Sequence, residues 1–187
     1  MIFKTPLITP RLRIKPESMD DFYRFYEMSK DPEVMRWIGD GSVYHWSRET
    51  ALKKYQACIV NRKTAESGNL AVYAGNPGLY IGWCGVSFSK FLDHAELGYR
   101  YCRDAWGRGY ATEAAAAVVA ETFRGTEMDR ILAIAHPRNS ASIRVLEKLG
   151  FIRSHTRFSR PAGLGLPVYA LERETFYRQK ISTPENY

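Results

Sequence analysis

In the stretch RYCRDAWGRGYATEAAAAVVAETF, residues 100–123, Gly107 and Gly109 bracket Arg108 just before an alanine-rich run. Glycines two apart free the backbone to turn its N–H groups toward one point. A helix behind them adds unpaired N–H groups and its positive dipole end. Such a turn suits an anion, above all a phosphate. A dinucleotide fingerprint would need a third glycine and an acid at the end of the next strand. Here Thr112 takes the third place, and that strand ends in Ala135-His136-Pro137-Arg138. A nucleotide-triphosphate loop would need Gly-Lys-Ser/Thr, which the chain lacks. The remaining alternative is a tight turn that caps a helix and holds nothing.

A second segment, HPRNSASIRVLEKLGF over residues 136–151, has the pattern of a capped amphipathic helix. Ile143, Leu146 and Leu149 form its apolar stripe, which explains most of it structurally. Asn139 and Ser142 fall one turn apart at its start, on one side, where they can face a ligand. Gly109 and Asn139 lie 30 residues apart, each at a strand-to-helix turn, and two such turns can flank one cleft. The four histidines, His45, His94, His136 and His155, show no metal-ligand spacing, and no G-x-S-x-G elbow is present. Neither a metal site nor a covalent nucleophile is expected. Cys58, Cys84 and Cys102 lack C-x-x-C spacing and read as buried free thiols.

The elements that must position these residues follow from periodicity. SMDDFYRFYEMSK reads as a first helix with Ser18 as N-cap and Asp21 completing a capping box. DPEVMRWIG reads as a second, closed by Gly39, and SRETALKKYQACIVNRK as a third, capped by Ser47. The period then changes to that of strands in NLAVYAG, LYIGWCGVSF and HAELGYRYC. In the last of these Glu96, Gly98 and Arg100 share one face, and Leu97, Tyr99 and Tyr101 the other. A helix over 109–123, a strand at RILAIA, the helix after Asn139 and two final strands joined by PAGLG complete the chain. This order predicts an α+β fold, a central twisted mixed β-sheet with helices on both faces.

The chain of 187 residues reads as a single domain over 1–187, with 178–187 as a C-terminal tail. Its hydrophobic share of 45% and charged share of 25% are those of a globular protein. No apolar run reaches the roughly 18–20 residues of a membrane span. The start, MIFKTPLITPRLRIKP, has no signal-like apolar core, so a cytoplasmic location is expected. A net charge of +7 suits an anionic ligand, but the basic residues are scattered, and nucleic acid is not expected.

Together the segments resemble the GNAT superfamily of N-acetyltransferases, nearest to the branch that acetylates ribosomal-protein N-termini. The likeness is carried by ITPRLRIKPESMDDFYRFYEMSKDPEVMRWIG, IGWCGVSF, HAELGYRYCRDAWGRGYATEAA and NSASIRVLEKLGF, in that order over nearly the whole chain. The resemblance implies acetyl-CoA as co-substrate. The loop Trp106, Gly107, Arg108, Gly109, Tyr110, Ala111 and Thr112 would wrap its pyrophosphate through backbone N–H groups. Trp106 stands where Gln or Arg is common. Tyr99, Arg100 and Tyr101 would line the strand along which the pantetheine arm lies, and Asn139 and Ser142 would face the arm from the other side.

The resemblance implies direct attack of a primary amine, of a protein N-terminus or a small molecule, on the thioester. Glu96 is the expected general base, and the backbone at 97–99 the oxyanion donor. Many family members protonate the departing thiolate with a tyrosine in the second helix. Leu146 stands there in this chain, leaving Ser142 as the catalytic candidate. Two rival readings are an acyl-CoA-binding protein without catalysis and a basic ribosome- or RNA-binding module. Tyr44, Trp46 and Tyr169 are expected to wall an acceptor groove, and a homodimer is common among relatives.

Overall fold

The computed structural model describes residues 5–38, 45–63, 68–76 and 78–182. A short strand β1 (Leu7–Ile8) and β2 (Leu12–Lys15) lead into a 3-10 turn at Met19–Asp21 and the helix α1 (Phe22–Lys30). The capping box forms as expected, with Ser18 accepting from the Asp20 N–H and Asp21 accepting from Ser18. Two further helices follow, α2 (Pro32–Met35) and α3 (Arg48–Lys63). Next come the strands β3 (Asn69–Ala74), β4 (Leu79–Ser89) and β5 (His94–Tyr101). The second half runs α4 (Tyr110–Gly125), β6 (Arg130–Ile134), α5 (Ser140–Lys148), β7 (Ile152–Ser159), β8 (Leu164–Glu172) and α6 (Arg173–Ser182).

The eight strands form one sheet in the order β1-β2-β3-β4-β5-β6-β8-β7. Neighbours are antiparallel except β5 and β6, which run parallel and register at Glu96↔Leu132. The crossover between them is α4, the helix that follows the glycine loop. A parallel pair needs such a crossover, so the loop and the sheet's mid-line are tied together by connectivity.

Helices cover both faces. On one, α4, α5 and α6 pack through Val118, Phe123, Leu146 and Phe176 against Ile14, Val86, Leu97, Ile131 and Leu171. On the other, Met28 of α1 and Val34 and Met35 of α2 pack on Ala71, Tyr73 and Tyr80, and α3 seats Tyr55 behind α1 on Phe22. The alternation expected for β5 follows from this layering. Leu97 and Tyr101 enter the first core, while Trp83 of β4, beside Gly98, belongs to the second.

Several expectations need correction. The second helix ends at Met35, well before Gly39. The strand β8 starts at Leu164, inside the stretch read as a loop, and α6 runs past Arg178 into the stretch read as a tail. Tyr169 pairs with Ala133 and is buried in the core, so it walls no groove. Trp46 packs beside Phe22 and Tyr55, under Lys54, and Tyr44 lies outside the described residues. Cys84 and Cys102 are buried, but Cys58 is exposed.

Candidate active site

The loop before α4 is held from two sides. Gly107 and Gly109 have φ of 73° and 78°, a region that side chains disfavour, so both turns depend on glycine. The indole Nε1 of Trp106 donates to the Tyr101 carbonyl at 3.0 Å, which fastens the loop to the end of β5. From the other side Arg11 donates through Nη1 to the Arg108 carbonyl at 2.8 Å. The Glu113 N–H makes the first helical bond to Gly109, leaving the N–H groups of residues 110–112 ahead of the ladder.

Glu113 anchors that helix start. It is 7% exposed and accepts from the Thr9 hydroxyl at 2.6 Å, the Arg11 N–H at 3.0 Å and Arg11 Nε at 2.6 Å. Burial alone would raise its pKa, but these donors outweigh burial and lower it. The carboxylate therefore stays ionised beneath the anion loop.

Beyond Glu96↔Leu132, residues 97–101 and 133–136 line opposite sides of a cleft. Its wider part, a cavity of about 430 Å³, is bordered by Trp106, Gly107, Gly109, Tyr110, Ala111 and Thr112. Tyr99, Arg100, Tyr101, Asn139 and Ser142 also line it. Arg108 is not among its lining residues. The narrower part, about 270 Å³, adds Glu96, Leu97, Gly98 and Trp83. Trp37, Ile38, Tyr99, Arg100, His136 and Ser142 border both parts, so the two are continuous.

Across the cleft, the Tyr99 hydroxyl lies 3.0 Å from Ser142 Oγ and donates to the Ser142 carbonyl at 3.2 Å. Burial raises the Tyr99 phenol well above its ordinary value, although the Ser142 hydrogen bond opposes this. The phenol stays protonated at neutral pH. Asn139 caps α5 by accepting from the Ser142 N–H at 3.1 Å, which leaves its amide nitrogen for the cleft. Burial also raises the Glu96 carboxyl, against a hydrogen bond from Ser89 that lowers it. That direction suits a group that takes up a proton near neutrality.

The cleft contains residues that sequence reasoning passed over. Arg144 and Lys148 line the wider part, four residues apart on α5, a spacing visible in the sequence. Trp37 packs on His136 with ring centroids 4.5 Å apart and the rings tilted by 31°, and Arg36 and Arg138 lie over the indole. No spacing in the sequence could announce that contact between α2's end and β6's end. The His136 imidazole is lowered by burial and by Arg138, so it is neutral at pH 7.

The arrangement can hold a phosphorylated, elongated ligand and bring its tip to a basic carboxylate. Comparison with known proteins gives this arrangement a family. The chain is 30% identical to the Bacillus subtilis protein YkkB over 82% of its length and 88% of the relative's. It is 29% identical to the N-acetyltransferase YnaD of Bacillus subtilis, over 79% of this chain and 82% of that one. An acetyltransferase from Agrobacterium tumefaciens shares the fold with a TM-score of 0.75 at 25% identity, over 92% of this chain and 98% of that one. The family model of the acetyltransferase (GNAT) domain matches residues 11–152, spanning both glycine turn and cleft. The chain belongs to the GNAT acetyltransferase family, and it is an N-acetyltransferase.

Proposed function

We propose that this chain transfers the acetyl group of acetyl-CoA to a primary amine by direct attack in a ternary complex. The observation that carries this reading is the continuity of the cleft, from the anion-binding turn at one end to Glu96 at the other. RimL, a ribosomal L7/L12 acetyltransferase of the same fold, is known in complex with coenzyme A. Here the backbone of residues 107–112 would take the pyrophosphate, with the pantetheine arm between Tyr99–Tyr101 and α5.

The chemistry divides among the chain's own groups. Glu96 removes a proton from the attacking ammonium, directly or through one water. The amine nitrogen bonds to the thioester carbon while a backbone N–H at 97–99 stabilises the carbonyl oxygen. As the C–S bond breaks, the departing thiolate takes a proton from the paired hydroxyls of Tyr99 and Ser142. The second proton, which the nitrogen sheds on becoming an amide, restores that pair through solvent while Glu96 gives its own proton to water. Tyr99 thereby joins Ser142 in the role that the missing tyrosine at Leu146 leaves open. Holding both reactants in one cleft contributes by making the bimolecular step effectively unimolecular.

Titration calorimetry with acetyl-CoA, with NADP as control anion, tests the reading. Micromolar binding of acetyl-CoA, weakened at least tenfold by Gly109→Val and absent for NADP, is expected. Equal binding of both, or of neither, would remove the assignment of the turn. Binding without turnover of any amine would favour an acyl-CoA-binding protein instead.

A further inference from the structure

The cleft carries a cation, Arg100, that borders both of its parts and is in no ion pair among the described residues. Arg100 projects from the face of β5 that also bears Glu96 and Gly98, away from Tyr99 and its partner Ser142. Its Nε is buried and has no hydrogen-bond partner among the described residues. Its guanidinium lies 5.7 Å from the centre of the Trp83 ring, and that ring also lies against Gly98. The acids that border the cleft do not pair with it. Glu33 is bound to Arg36 at 2.9 Å, and Glu96 is shared with Ser89. Burial lowers the guanidinium to about 10, which reflects how poorly its charge is solvated there. A buried charge left unpaired is costly, and proteins keep such groups where a ligand completes them.

We propose that Arg100 binds an anionic group of the acceptor, so that the substrate is an acidic amine: an amino acid, or an analogue with a phosphonate or sulfonate a few atoms from its amine. This rests on the acetyl-transfer reading above and narrows its acceptor. Glu96 and Arg100 are four residues apart on one strand face, about 13 Å between Cα atoms at ~3.3 Å per residue. Between them the Trp83 ring lies over Gly98, 3.3–3.4 Å from where a Cβ would stand, and so forms the floor of a trough between the two side chains. An acceptor lying in that trough sets its ammonium toward Glu96 and its anion toward Arg100. The planar guanidinium suits a two-point contact with carboxylate or phosphonate. The coenzyme's phosphates would have their own donors in the backbone of the glycine turn, at the wider part of the cleft.

The test is a coenzyme A release assay on this chain with matched acceptor pairs. Each amino acid is compared with its carboxamide, and 2-aminoethylphosphonate and taurine with ethanolamine. The acidic member of a pair should be preferred by about tenfold to a hundredfold in kcat/KM, as expected for a hydrogen-bonded charge. Arg100→Met should remove that preference through the acceptor KM, leave the acetyl-CoA KM within about twofold, and be partly rescued by Arg100→Lys. Equal turnover of acidic and amidated members, turnover of polyamines only, or no turnover of the panel by a protein that binds acetyl-CoA would overturn the proposal. A rise in the acetyl-CoA KM instead would assign Arg100 to the coenzyme. Should Arg100→Met fail to fold, the pair preference of the unaltered protein decides alone. Failure to bind acetyl-CoA at all would defeat the underlying reading rather than this one.

Discussion

The Tyr99 hydroxyl and Ser142 Oγ meet at 3.0 Å, joining β5 to the start of α5 across the cleft. Tyr99 is kept protonated by burial, so it can supply a proton, with Ser142 relaying. Tyr99→Phe should lower kcat by about a hundredfold, the low end of what a general-acid group contributes. The KM for acetyl-CoA should move little. Ser142→Ala should cost less, because water can replace the lost hydroxyl. Steady-state kinetics on both variants check this, and a kcat unchanged in Tyr99→Phe would remove the residue from proton transfer.

Glu96 predicts a pH profile and a stability change of opposite signs. Its folded pKa is raised by burial, so the native state prefers the protonated carboxyl. The resulting loss of stability is absent below the unfolded value. It grows as pH rises toward the folded pKa and is constant above it. Glu96→Gln should therefore equal or exceed the parent in Tm at pH 8, with no such gain at pH 4. The same variant should lose about a hundredfold in kcat/KM and the acidic limb of the pH–rate profile. Thermal melts and a pH–rate series on one preparation measure both.

Arg11 and Glu113 tie the first hairpin to the helix under the glycine loop. Glu113→Ala would leave the Arg11 N–H without an acceptor and the Thr9 hydroxyl with only the Leu12 carbonyl at 3.4 Å, costing about 1–3 kcal/mol. The lower end is favoured because Arg11 is 50% exposed and can rehydrate. Glu113 has a lowered pKa, so its contribution is present above the unfolded carboxyl value and lost as pH falls through the folded one. Denaturant midpoints of parent and variant should converge as pH falls below the ordinary carboxylate range and through the lowered folded value of Glu113.

The two loop glycines should respond differently to substitution. A Cβ at Gly107 meets nothing within 4 Å, so Gly107→Ala carries only backbone strain, about 1 kcal/mol. At Gly109 the added atom would lie 3.3 Å from Arg11 Nη2, so strain is joined by a disturbed anchor. Gly109→Ala should weaken acetyl-CoA binding more than Gly107→Ala does. Calorimetry on the pair checks the order.

The sequence alone determined whatever depends on near neighbours along the chain. Ser18, Ser47 and Asn139 cap helices because a short polar side chain reaches N–H groups two or three residues ahead. Gly107 and Gly109 announced a turn because few other residues adopt its backbone. The alternation of β5 placed Glu96 and Arg100 together because strand side chains repeat every two residues. The tertiary structure decided which distant segments meet. Tyr169, aromatic and beside a loop, went into the core because its strand lies between β6 and β7 rather than along the cleft. The contact of Trp37 with His136, the pairing of Tyr99 with Ser142 and the lack of a partner for Arg100 Nε among the described residues arise between elements far apart in sequence. Each depends on how the sheet opens beyond Glu96↔Leu132, and packing of helices on both faces sets that opening, where no local pattern reaches.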